Sequence, residues 1–231
     1  MFYNPYYLIF MAPAFILTLA AQIYVNSTYR KWQRIPVSSG ISGAEAAQRL
    51  IRFGGLYDVE IQGVGGKLSD HYNPRSKVLK LSEGVYRGKS VASLAIAAHE
   101  LGHAMQDQEG YLPLRFRTML VPAVNIGSYL GWILIMIGLF LNMVNLAWMG
   151  VFVFSGGAIF ALATIPVELN ASARAKQLLS QSGLIRTQQE QKGVNSVLNA
   201  AALTYVAALF TAIMQLIYWA SLISGRGSRR R

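Results

Sequence analysis

The sequence predicts a mainly α membrane protein, with about four transmembrane helices and a small α+β unit on the cytoplasmic side. Three observations predict it. Of the 231 residues, 53% are apolar, and these gather in four runs near or above the length that crosses a bilayer. Basic residues crowd beside those runs, as they do in cytoplasmic loops. The stretch between the first two runs reads instead as short alternating strands followed by a helix. No soluble fold of this size needs four such apolar segments.

The first run, Tyr6 to Val25, is uncharged. No basic residue precedes it and no small-x-small cleavage site follows in a polar setting, so it is expected to stay as an anchor rather than be removed as a signal peptide. Pro36 to Gly43 is a linker ending in a helix start, with Ser42 as N-cap and Glu45 three residues on as a capping box. The helix Gly43 to Phe53 should stop at Gly54-Gly55. Val59 to Val64 alternates like a strand, Asn73-Pro74 marks a turn, and Lys77 to Ser82 reads as a second strand. Ser90 to Ala98 is a continuous helix former that runs on to Gln106. Met119 to Val144 and Leu146 to Val167 form a membrane hairpin with a short uncharged joint, Glu168 opens a helix to Ser180, and Val197 to Ile223 is the last apolar run. The expected organisation is therefore an anchor (1–28), a cytoplasmic region carrying the motif helix (29–118), a transmembrane hairpin (119–167), a helix and loop opened by Glu168 (168–196), and a fourth apolar helix with a basic tail (197–231).

A net charge of +11 invites a nucleic-acid reading, but the membrane accounts for it and no nucleic-acid partner is expected. Arg30, Lys31 and Arg34 follow the first run, Arg115 and Arg117 precede the second, and Arg174 and Lys176 follow the third. The joint between the second and third has neither Lys nor Arg, which puts 26–118 and 168–196 in the cytoplasm and the amino terminus outside. The protein is thus expected to be multi-pass in the inner or plasma membrane. The arginine tail fits poorly. Either the other basic residues outvote it, or the last run is re-entrant or lies on the surface. The absence of cysteine excludes disulfides and thiolate ligands.

Residues 99 to 103 read His-Glu-Leu-Gly-His. On a helix, His99 and His103 project from one face and can bind a single zinc ion, with Glu100 beside the water such a site carries. This motif after short strands is a zincin-like layout, in which a peptide substrate adds as a strand to an exposed sheet edge. A catalytic zinc usually has three protein ligands, and here the third must be His71 or an acid. Asp107 lies farther along a helix row already gripping the metal, and Glu109 points elsewhere. Glu45, Asp58, Glu60 and Glu190 belong to other segments. Glu168 stands at the mouth of the third apolar run, where an ionisable group is costly and therefore a functional hypothesis. The hairpin returns it to the depth of the motif helix, so Glu168 is the expected third ligand. The competing readings are a zinc-binding membrane scaffold or chaperone without catalysis, and a basic membrane protein that recruits anionic lipid or nucleic acid.

The stretches Gly66-Lys-Leu-Ser-Asp-His-Tyr-Asn-Pro-Arg75, Ala97-Ala-His-Glu-Leu-Gly-His-Ala-Met-Gln106, Tyr111-Leu-Pro-Leu114 and Pro166-Val-Glu-Leu-Asn-Ala-Ser-Ala-Arg-Ala175 resemble the bacterial membrane neutral zinc metallopeptidases of the YugP-like family, over nearly the whole chain. A more distant likeness is to the HtpX-type and CAAX prenyl endopeptidases, whose glutamate segment has an aspartate where Ser172 stands here. In that segment the aspartate braces a histidine ligand, so either Ser172 or Asn170 is expected to orient one. The resemblance implies a zinc-dependent endopeptidase. His99, His103 and Glu168 would hold Zn²⁺, Glu100 would act as general base and then acid, and His71 and Tyr72 are candidates to support the carbonyl oxygen. Arg174 could serve there too, or pair with Glu168. The expected substrate is a membrane or membrane-proximal peptide or protein, with the lipid bilayer as the other partner.

Overall fold

The computed structural model describes residues 5–228; tail residues 229–231 lie outside the described residues. In order, the elements are α1 Pro5–Gln33, α2 Gly43–Gly54, β1 Glu60–Val64, β2 His71–Asn73, β3 Val78–Ser82, α3 Glu83–Tyr86, α4 Val91–Gln108, α5 Leu112–Phe140, α6 Val144–Phe154, α7 Gly156–Gln181 and α8 Gln188–Ser228. The protein is a mainly α membrane protein with a small α+β unit, as the sequence predicts. Among the described residues, four helical stretches are long and apolar enough to cross a membrane: Tyr6–Gln33, Leu112–Phe140, Val144–Gln181 and Gln188–Gly225.

The chain forms two compact units. One comprises residues up to 21, 115–165 and from 204 onward. Its helices α5 and α6 approach through glycine: a Cβ on Gly138 would strike the backbone of Ala147, and one on Gly150 the backbone of Ile135. Small residues allow this close approach where lipid offers no hydrophobic drive for association. Tyr218 and Trp219 are buried with Ile135 and Val151, and Tyr7 meets Tyr218 edge-on at 5.0 Å. The outward side chains are large and apolar, Phe140 being 85% and Phe152 80% exposed, which suits hydrocarbon and not water.

The other unit comprises residues 22–114 and 166–203. The expected capping box opens α2: the Glu45 amide donates to Ser42 Oγ (3.2 Å), and the Ser42 amide donates to Glu45 Oε2 (2.7 Å). Gly55, at φ 68°, closes the helix in the left-handed conformation that glycine adopts freely. The sheet has the order β1-β3-β2, with β1 parallel and β2 antiparallel to β3. Leu79 and Leu81 of the central strand are fully buried, with Leu50 of α2 and Leu94 and Leu101 of α4 in the same core. Ser90 caps α4 by accepting the Ser93 amide at 3.2 Å.

Three features depart from the sequence-based expectation. Residues 71–73 form a strand, although the sequence offers only a turn at Asn73-Pro74. The third apolar run is two helices that meet at Ser155, whose hydroxyl donates to the Phe152 carbonyl at 2.6 Å. Helix α7 then continues through Pro166 to Gln181, so Glu168 lies inside it rather than opening it. A proline removes one helical hydrogen bond. Where no water can satisfy the freed backbone groups, breaking the helix costs more than losing that bond. Pro13 and Pro122 sit inside α1 and α5 in the same way.

Candidate metal centre

On α4, His99 and His103 are four positions apart, so the two rings lie on one face and meet edge-on at 4.9 Å between centroids. Glu168 of α7 comes to meet them and is only 3% exposed. Its Oε2 lies 3.2 Å from His99 Nε2 and 3.4 Å from His103 Nε2, and one donor atom from each residue falls within 4.8 Å of the others. Donors about 2.0–2.1 Å from a tetrahedral zinc stand roughly 3.3 Å apart, so the two separations from Glu168 to the imidazoles match edges of such a tetrahedron. Three donors leave one corner open.

The partners of the other ring nitrogens test the fit. His103 Nδ1 lies 3.0 Å from Gln106 Oε1, which can only accept, so the proton of neutral His103 sits on Nδ1. Gln106 is fully buried and is itself held, its Nε2 donating to the Val167 carbonyl (2.8 Å) and to Asn170 Oδ1 (2.9 Å). His99 Nδ1 lies 3.2 Å from Ser172 Oγ, which can accept in the same way. Both Nε2 lone pairs then converge on a carboxylate oxygen, an arrangement that calls for a cation between them. Burial pushes the His103 imidazole toward neutrality, but its hydrogen bond to Glu168 and the charge of Glu100 outweigh burial and raise its pKa. A proton and a metal ion compete for the same atoms. The set fits zinc.

Sequence reasoning left Ser172 and Asn170 as alternatives for orienting a histidine. Ser172 touches His99 directly, while Asn170 acts one step back, by accepting from Gln106. Gln106 itself was missed. The sequence carried only its position: three residues beyond His103, Gln106 lies on the helix face that holds both histidines. Outer partners of this kind fix the tautomer and ring angle of a ligating histidine.

The glycine of the motif has its own reason. A Cβ on Gly102 would run into the backbone of Ala171, one turn beyond Glu168 on α7. Hydrogen in place of a side chain lets the two helix backbones touch at the level of the donor set.

Glu100 follows His99 and is half-buried. Its Oε2 accepts the backbone amide of Tyr72 at 3.0 Å. Tyr72 sits in β2, the edge strand, and its phenol donates to Asp107 Oδ2 at 2.9 Å, two turns farther along α4. Lys77 Nζ binds the same Asp107 oxygen at 2.7 Å. Burial, then Asp107, push the Tyr72 phenol well above its ordinary value, so it is a firm proton holder. One residue thus ties the edge strand to α4 at both Glu100 and Asp107. His71 is exposed, with Nδ1 2.9 Å from the Ser69 carbonyl, and does not join the donor set. Arg174 does not pair with Glu168. Its Nη2 donates to Glu109 Oε2 at 2.7 Å and its Nε to Asn170 Oδ1 at 2.7 Å. Glu190 accepts backbone amides of Ser38, Arg186 and Thr187.

A family profile described as "Putative neutral zinc metallopeptidase" matches residues 7–224. The chain is also similar to the "Putative membrane protease YugP" of Bacillus subtilis (strain 168), with 44% identity over 211 residues that cover 91% of this chain and 93% of that protein. No solved structure matches it. A match spanning nearly every residue, motif helix and Glu168 segment alike, places the chain in the neutral zinc metallopeptidase family.

Proposed function

We propose that the protein is a membrane-embedded zinc endopeptidase that hydrolyses peptide bonds of membrane or membrane-proximal proteins, with its site facing the cytoplasm and the chain crossing the plasma membrane several times. One observation carries the reading: two imidazoles and a buried carboxylate converge with a corner left open, and Glu100 stands beside them. Structural zinc sites are closed four-ligand cages, whereas catalytic sites keep a position for water or substrate.

Zinc held by His99, His103 and Glu168 would supply a Lewis acid that acidifies water and polarises the scissile carbonyl. The chain's own groups do the rest. Glu100 takes the water's proton and passes it to the leaving amine. The Tyr72 amide occupies one lone pair of the Glu100 carboxylate, which fixes its plane and leaves others for the water. Ser172 and Gln106 hold the ring nitrogens so that Nε2 faces the metal. Apart from the Tyr72 amide, which Glu100 holds, the outer edge of β2 is where an extended peptide would add. His71 and Tyr72 keep their candidate role toward the carbonyl oxygen; for Tyr72 it requires the phenol to leave Asp107.

The test is cleavage of an unstructured casein-type substrate by the full chain in detergent. The expected result is hydrolysis that a chelator abolishes and added Zn²⁺ restores. Hydrolysis indifferent to the chelator would contradict the proposal.

A further inference from the structure

The basic residues that follow the first apolar run do more than orient it. Ile23, Asn26, Ser27, Arg30 and Lys31 of α1, with Arg34 and Ile35 just past its end, line an open groove of about 670 Å³. Those within α1 recur at helical spacing on one face. Arg30 and Lys31 fall within about 100° of each other around the helix, at 3.6 residues per turn, and Arg34 follows directly after the last helical residue, Gln33. The chemistry changes along the groove. Ile23, 60% exposed, is apolar; Asn26 and Ser27 are neutral and polar; then come three exposed cations, with the half-buried Ile35 beyond them. No Asp or Glu lines the groove. Among the described residues none of the three cations has a carboxylate partner, and Lys31 lies over the Trp32 ring at 5.3 Å.

Cations that only set topology work from any face of a helix. Here they line one groove whose order of apolar, neutral and cationic side chains, at 1.5 Å per residue along α1, follows a phospholipid from acyl chain through ester level to phosphate. Arginine matches phosphate oxygens with paired donors. We propose that this groove is a binding site for the phosphodiester headgroup of an anionic phospholipid, held by Arg30 and Arg34 with Lys31 beside them. The site is separate from the metal centre, and its test needs no catalysis.

The experiment is native mass spectrometry of the detergent-purified full chain with phosphatidylglycerol and phosphatidylcholine in competition. The wild type should retain one phosphatidylglycerol in preference to phosphatidylcholine. Arg30→Gln with Arg34→Gln should lower that preference roughly 30-fold, at about 1 kcal/mol per cation near a headgroup. Arg49→Gln with Arg75→Gln, which removes the same charge from exposed positions elsewhere, should leave it unchanged. Should the Arg30/Arg34 variant not fold, Arg34→Gln alone should lower the preference roughly fivefold by the same reckoning. Equal retention of the two lipids by the wild type, or equal loss in the Arg49/Arg75 control, would overturn the proposal. So would displacement of phosphatidylglycerol by millimolar inorganic phosphate, which would assign the groove to the free anion.

Discussion

Glu100→Gln is expected to keep the wild-type zinc content and to lose hydrolysis by roughly 10²- to 10⁴-fold, the span that general-base catalysis contributes. The substitution separates holding the metal from using it. Glu100 is absent from the converging donor set, so its charge is not needed to bind the ion. The glutamine oxygen can still accept the Tyr72 amide, so the edge strand stays in place. What disappears is a carboxylate that can take the water's proton. Metal analysis and peptide hydrolysis on one preparation read both effects. Zinc falling in step with activity would remove Glu100 from the role of base.

Gly102→Ala carries the second large effect, although residue 102 donates nothing to the metal. The new methyl would meet the carbonyl group and Cα of Ala171, which belong to a helix backbone and cannot rotate away. The helices must separate, and Glu168, three residues before Ala171, moves with α7. Donor distances in a zinc site tolerate only about 0.2 Å. The expected outcome is a fall in zinc affinity of at least about 100-fold, with a stability loss of roughly 1–3 kcal/mol from overpacking. Equilibrium zinc titration and thermal unfolding measure the two. Full zinc affinity in Gly102→Ala would mean that the close helix approach does not position Glu168.

The same contrast between local and distant contacts decides what the sequence could reveal. The capping box of Ser42 and Glu45, the motif helix and the four apolar runs were all legible, because each rests on spacing within a few residues or on one long uniform stretch. The strand His71–Asn73 was not. It has three residues and a proline behind it, and it exists by pairing with β3 and by the hold of Glu100 and Asp107 on Tyr72. Glu168 was found by eliminating other acids, yet its surroundings were misread, since Pro166 suggested a helix start where α7 in fact continues. The orientation of His103 was hidden for a similar reason. Gln106 is recognisable as its partner only once Val167 and Asn170, some sixty residues away, are seen to hold its amide. Arg174 likewise finds Glu109 across the fold.

Glu168 is the residue that completes the metal set. Zinc content of the purified wild type beside Glu168→Ala, both shown to be folded by circular dichroism, tests this most directly. The expected result is one zinc per chain in the wild type and its loss in the variant, with chelator-sensitive hydrolysis lost alongside. A full equivalent of zinc in folded Glu168→Ala would contradict the account and return the third ligand to His71.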